Sequence, residues 1–113
     1  MADMTRAEMI AKVLQDLGVL AAGQSATSED ADKVGKALDA CWSELRTLGY
    51  APFATSAIPE WAQNGFGDYV AAEVKPAFGF PVNKEVEQTI AERKLARQLA
   101  GYRQLSSIPA KYY

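Results

Sequence analysis

The chain has 113 residues, of which 49% are hydrophobic and 23% are charged, as expected for one globular domain. Its net charge of −2 argues against general adhesion to nucleic acid or to an anionic membrane, because both need an excess of lysine and arginine. The chain has no histidine and one cysteine, Cys41, which excludes a histidine base, a histidine metal ligand and an internal disulfide. We therefore expect no metal and no cofactor.

The charge is unevenly distributed along the chain. Residues 1–83 carry six basic and eleven acidic side chains, whereas residues 84–113 carry six basic and three acidic ones. We expect the two parts to differ electrostatically, which suits heterologous packing. No signal-peptide pattern and no apolar run of about 20 residues is present, so the sequence predicts a protein made in the cytoplasm with no membrane partner.

The first two helices have clear start and stop signals. Thr5 and Glu8 have capping-box spacing, and Gly18 suits a helix end, so we expect a helix over 5–18. A second helix begins at Thr27 or Ser28 and ends before Gly49. Its predicted apolar face has a period of 3.6 residues and consists of Ala31, Val34, Leu38, Cys41, Trp42, Leu45 and Leu48.

Two further helices follow. Pro59 suits the first turn of a helix that runs to about Lys75, and the apolar face of that helix is Trp61, Ala62, Phe66, Tyr69, Val70 and Val74. The glycines at 65 and 67 indicate close packing against a neighbour. Asn83 is a candidate cap for a last helix over about 84–101, with Val86, Ile90, Leu95, Leu99 and Tyr102 as its approximate stripe. Gly101 either ends that helix or packs inside a longer one that reaches Leu105.

The pattern predicts an all-α fold, a small four-helix bundle with ordered aromatic loops and an extended C-terminal arm. We divide the chain into a helical domain, residues 1–105, and a tail, residues 106–113. The tail sequence SSIPAKYY is rich in apolar residues for a chain end that lies beyond the last helical pattern. We expect it to be buried against another molecule rather than to fold alone.

Nothing in the sequence indicates catalysis. Asp68 and Glu73 are five residues apart and do not share a helix face, so they make a poor acid and base pair. A hydrolase built on Glu60, Asp68 or Glu73 ranks below the two non-enzymatic hypotheses given below. We therefore expect the protein not to be an enzyme. Cys41 lies on an apolar stripe without a basic partner, which is typical of an inert core cysteine.

Candidate interaction residues lie in the loops and on the last helix. The loop aromatics Tyr50, Phe53, Phe78 and Phe80 either cover the ends of the core or anchor an interface. For the basic residues of the last helix, Arg93, Lys94, Arg97 and Arg103, three interpretations remain open: a solvated surface, contact with an acidic partner, and contact with nucleic acid.

The order of these features resembles one known family. A first helix ends in Leu17-Gly18-Val19, a small polar loop contains Gly23-Gln24-Ser25, and a long second helix carries an aliphatic and tryptophan core from Leu38 to Leu45. An aromatic loop, a third helix with Ala71-Ala72-Glu73, a Phe78-Gly79 turn and a final helix follow. Over about residues 5–100 this resembles the head-to-tail adaptors of tailed bacteriophages, also called neck or head-completion proteins.

The resemblance implies a structural role in the virion. Such adaptors assemble as a ring, commonly dodecameric, beneath the portal protein at the head–tail junction, where they extend the DNA channel and provide the platform for tail proteins. The C-terminal segment would then dock on the portal through Ile108, Pro109, Lys111, Tyr112 and Tyr113. The subunit or partner interface would use Tyr50, Phe53, Phe78, Phe80, Arg93, Arg97 and Arg103. The alternative is a small nucleic-acid-binding or DNA-packaging factor.

Overall fold

The computed structural model describes the backbone of residues 3–21 and 23–111, and side chains as far as Arg103. Within this part the chain forms four helices, α1 (Arg6–Asp16), α2 (Ser28–Thr47), α3 (Glu60–Val74) and α4 (Lys84–Lys111), and a 3₁₀ turn at Lys75–Phe78. The described residues form no strand, and a single antiparallel bridge joins Met4 to Ile58. The predicted small all-α bundle of four helices is confirmed.

The ends of the first two helices follow the predicted signals. The Thr5 hydroxyl accepts a hydrogen bond from the Glu8 backbone N–H, and the Glu8 carboxylate accepts one from the Thr5 N–H at 2.9 Å. These bonds lower the pKa of Glu8 because they favour its charged form. Thr27 rather than Ser28 caps α2. Gly18 and Gly49 follow the helix ends with φ of 79° and 85°, a conformation that favours glycine.

Helix α3 is the centre of the bundle, because it packs against each of the other three helices. More than half of its residues are buried, namely Ala62, Gly65, Phe66, Gly67, Tyr69, Val70, Ala72 and Val74. A Cβ built on Gly65 would lie 3.1 Å from Leu95 Cβ and 3.2 Å from Leu95 Cα. The prediction that this glycine permits close packing is therefore confirmed, and α4 is its neighbour.

The aromatic loop before α3 is ordered around the core. Phe53 is 8% exposed and packs edge-on against Trp61 and Phe66. Its carbonyl accepts a hydrogen bond from Trp42 Nε1–H at 2.8 Å. Leu48, predicted on the apolar face of α2, is instead 53% exposed, because it is the C-cap residue and no element of the described chain covers it.

Helix α4 turns a different face to the bundle than the sequence predicted. Ala91, Leu95 and Leu99 are buried at four-residue steps, whereas Val86 and Ile90, expected on the same stripe, are 51% and 60% exposed. Val86 lies nine residues before Leu95, which is two and a half turns of an α-helix and therefore the opposite side. The predicted apolar stripe was wrong at these two aliphatic residues, because the small Ala91 takes the core position instead.

The prediction of an extended C-terminal arm is wrong for residues 106–111, because these residues continue α4 as helix. Gly101 does not end the helix, since its φ is not positive. The alternative of a longer helix is confirmed, since α4 continues past residue 105, but Gly101 is not closely packed, because a Cβ there would meet no described atom within 4 Å. With no stop signal at 101, the backbone keeps its helical hydrogen bonding, and α4 reaches about 42 Å at 1.5 Å per residue.

Candidate functional site

The most distinctive surface of the described chain is the side of α4 that points away from the bundle. Val86, Ile90, Arg93 and Arg97 follow one another at steps of four, three and four residues, so they line a single face. All four are exposed. We call these four residues the outer face of α4. It is exposed because, among the described helices, α4 packs mainly against α3.

Ion pairs flank this face and join α4 to α3. Lys84 Nζ lies 2.9 Å from Glu73 Oε2, and Lys94 Nζ lies 3.2 Å from Asp68 Oδ2. The hydrogen bond that the Lys84 amine donates to the Glu73 carboxylate raises the pKa of Lys84, because it favours the charged amine. Such partly exposed pairs contribute up to about 1 kcal/mol each, so they orient α4 more than they hold it.

The two arginines of the outer face differ from these lysines. Within the part of the chain whose side chains are described, neither Arg93 nor Arg97 makes an ion pair or a side-chain hydrogen bond. Beside them lie two large aliphatic side chains that are more than half exposed. Protein interfaces are enriched in arginine and combine it with apolar residues. This part of α4 has the same composition.

Several shallow depressions border the outer face, and two of them are lined by two or more of its four residues. One, of about 340 Å³, is lined by Glu85, Val86, Thr89, Ile90 and Arg93. The other, of about 400 Å³, is lined by Ile90, Arg93, Lys94 and Arg97. Ile90 lies between them and is the most exposed large hydrophobic residue among those described. It is therefore the natural anchor for anything that packs on this face.

The predicted interface residues do not form one surface. Phe53 lies in the core, and its contact with a partner stays a prediction. Tyr50 and Phe78 are half-buried against the core, and the Lys33 amine lies 5.3 Å above the Phe78 ring centroid. Phe80 is 38% exposed in the turn before α4. Of the predicted set, Arg93 and Arg97 share the outer face of α4.

The remaining predicted arginine lies elsewhere. Arg103 lines a separate depression together with Arg46, at the end of the bundle where α2 finishes. The sequence analysis did not single out Arg46 as a candidate interaction residue. Nothing in the linear pattern indicated that residues 46 and 103 come together, because that proximity depends on how α4 packs across α3.

The predicted docking residues are only partly described. Ile108, Pro109 and Lys111 lie within α4, and their side chains are outside the described residues. Tyr112 and Tyr113 lie wholly outside the described residues. Their contact with a portal protein therefore stays a prediction.

The candidate catalytic residues are not brought together. Asp68 and Glu73 form ion pairs with lysines of α4, and Glu60 is an exposed residue at the first turn of α3. Among the described residues, no three acidic, cysteine or histidine side chains lie close enough to hold a metal ion. Burial raises the pKa of the Cys41 thiol to about 12, so it is protonated and unreactive at neutral pH.

No helix in the described part of the chain has both the length and the apolar character needed to cross a membrane.

Comparisons with known proteins add no family assignment. No protein-family model matches the chain, and no curated protein or solved structure is significantly similar to it.

Proposed function

We propose that the chain is a structural head-to-tail adaptor of a tailed bacteriophage. In this role it forms a ring, dodecameric in the simplest case, under the portal protein at the head–tail junction of the virion. The ring extends the DNA channel, closes the packaged head and gives tail proteins a platform for attachment. The protein has no active site in this proposal, and DNA passes through the ring without sequence-specific contact.

The proposal starts from the resemblance in the order of helices, caps and aromatic loops. The helices of the structure follow that order, with capped starts at Thr5 and Thr27 and glycines after the first two helix ends. A helical bundle of this kind is compatible with many functions, so the fold alone carries little weight. The stronger support comes from an unpartnered surface.

The observation that carries the proposal is the outer face of α4. Transfer of Val86 and Ile90 from their half-exposed state into an interface would contribute roughly 1 kcal/mol each. A symmetric dimer through this face would bring Arg93 and Arg97 of both copies together, and like charges repel. Packing against a different, acidic surface of the next copy avoids that repulsion. Heterologous contacts of this kind generate rings when the rotation closes.

The charge distribution supports the same arrangement. Residues 1–83, which include α1, α2 and α3, carry a net charge of −5, and residues 84–113 carry +3. A ring that places α4 of one copy against the preceding helices of the next joins opposite charges at every interface. Each contact is weak, but a closed ring repeats it, and the portal ring would bind many copies at once.

The proposal is tested in the phage that encodes the chain. Without the protein, we expect DNA-filled heads that fail to retain their DNA and do not join tails. Wild-type chain supplied in trans should restore infectious particles, and Ile90→Asp should not, because a charge is placed at the centre of the outer face. Leu48→Asp is the matched control, since Leu48 is also a half-exposed aliphatic residue but lies at the end of α2. Equal rescue by both variants would contradict the proposal.

A second candidate function is a nucleic-acid-binding or packaging factor. The unpaired Arg93 and Arg97 favour it, whereas the net charge of −2 and the adjacent aliphatic residues disfavour it. This function predicts that the chain binds duplex DNA with an affinity that falls steeply as salt rises. It also predicts that Arg93→Gln and Arg97→Gln reduce that binding while Ile90→Asp has a smaller effect.

A further inference from the structure

Among the residues whose side chains are described, two cations and no acid line the depression between the C-terminal end of α2 and residue 103 of α4. It has a volume of about 280 Å³ and is lined by Arg46, Gly49, Ala51, Pro52 and Arg103. Neither arginine makes an ion pair with any residue whose side chain is described. Two guanidinium groups in one depression repel each other, and an anion between them would remove that repulsion.

Aromatic contacts order both sides of the depression, directly at Arg46 and through Tyr102 beside Arg103. The guanidinium carbon of Arg46 lies 5.2 Å from the Trp42 ring centroid, and Trp42 is fixed by its hydrogen bond to the Phe53 carbonyl. On the other side, Tyr102 stacks on Trp61 with ring centroids 5.5 Å apart, which fixes the turn that carries Arg103. Arginine on an aromatic face keeps its N–H groups free for a ligand.

We propose that this depression is a binding site for a phosphate-type oxyanion. A phosphate carries up to two negative charges and can neutralise both arginines at once, whereas one carboxylate neutralises only one. Guanidinium groups donate paired N–H bonds to phosphate oxygens in a geometry that lysine does not provide. The source is either free phosphate or the phosphate of a DNA backbone. The site is separate from the outer face of α4 and does not depend on the adaptor role.

The test is a titration of the full chain with inorganic phosphate at constant ionic strength, followed through the backbone amide NMR signals of Gly49 and Ala51. We expect saturable shifts, and we expect Arg46→Gln and Arg103→Gln each to weaken binding by about tenfold. Arg97→Gln is the matched control, because it removes the same charge from α4 outside the depression. Its affinity for phosphate should stay within about twofold of wild type, since only screened long-range attraction is lost.

Two outcomes would overturn the site. One is the absence of saturable shifts, and the other is an equal loss in Arg97→Gln, which would indicate general charge attraction. Arg46, not Arg103, is the arginine shown over the Trp42 ring, so Arg103→Gln tests the site even if Arg46→Gln disturbs the fold. A short DNA duplex in place of phosphate separates the two sources. Arg103-dependent shifts with the duplex identify a backbone phosphate, and shifts with inorganic phosphate alone identify a free one.

Discussion

Replacing Gly65 by alanine tests the contact between α3 and α4, on which the position of the outer face depends. The new Cβ would lie 3.1 Å from Leu95 Cβ and 3.2 Å from the Leu95 backbone nitrogen and Cα. These atoms move only if α4 moves. Overpacking of this kind costs roughly 1–3 kcal/mol, and the better helix propensity of alanine returns about 1 kcal/mol. We expect a net loss of about 1 kcal/mol, which lowers Tm by about 4–6 °C.

Gly67→Ala is the matched control on the same helix. A Cβ at Gly67 would meet Lys12 Nζ and Met9 Sδ at 3.5 Å, which is ordinary contact with flexible side chains. Only the gain in helix propensity then remains, so this variant should be more stable than wild type by up to about 1 kcal/mol. Thermal unfolding followed by far-UV circular dichroism measures both. If Gly65→Ala is as stable as Gly67→Ala, α4 does not pack closely on α3 as described.

The remaining predictions concern the register of α4, the hydrogen bond of Trp42 and the buried thiol. Leu95→Ala should cost about 2–5 kcal/mol of unfolding free energy, whereas Ile90→Ala on the opposite side should change it by less than about 0.5 kcal/mol; equal urea midpoints for the two would contradict the register. Trp42→Phe leaves the Phe53 carbonyl without its donor and should cost about 1–3 kcal/mol in the same assay, and an unchanged midpoint would argue against that hydrogen bond. The pKa of Cys41 is raised from 9.0 to about 12, so the unfolded chain loses this proton first and stability should fall as pH rises above 9. Cys41→Ala should lessen that fall between pH 9 and pH 10, and an unchanged pH dependence would refute the assignment to this thiol.

Much of the fold could be predicted because its signals are local. The capping box of Thr5 and Glu8 and the glycines at 18 and 49 depend only on neighbouring residues, and each occupies its predicted place. The close packing at Gly65 was also visible, since a glycine inside a helix lowers its propensity and needs a compensating contact.

The face of α4 could not be predicted in the same way. Val86 and Ile90 look like core residues in a periodic pattern, and only the packing of Ala91 and Leu95 against α3 shows that they point outward. Hydrophobic periodicity cannot separate a residue buried in its own chain from one that is exposed for a partner. The pairing of Arg46 and Arg103 could not be predicted either. They are 57 positions apart in the sequence and meet only through the tertiary fold.

The most direct test of the adaptor proposal is the native mass of the chain, alone and mixed with the portal ring proposed as its partner. Wild type and Leu48→Asp should join the portal in a fixed multiple, whereas Ile90→Asp should not, because its outer face is interrupted by a charge. A chain that ends at Leu105 tests the predicted docking segment in the same experiment, and we expect it to fail to join. If all four chains remain monomers beside an unchanged portal ring, or if Ile90→Asp joins as fully as wild type, the proposed assembly through the outer face of α4 is wrong.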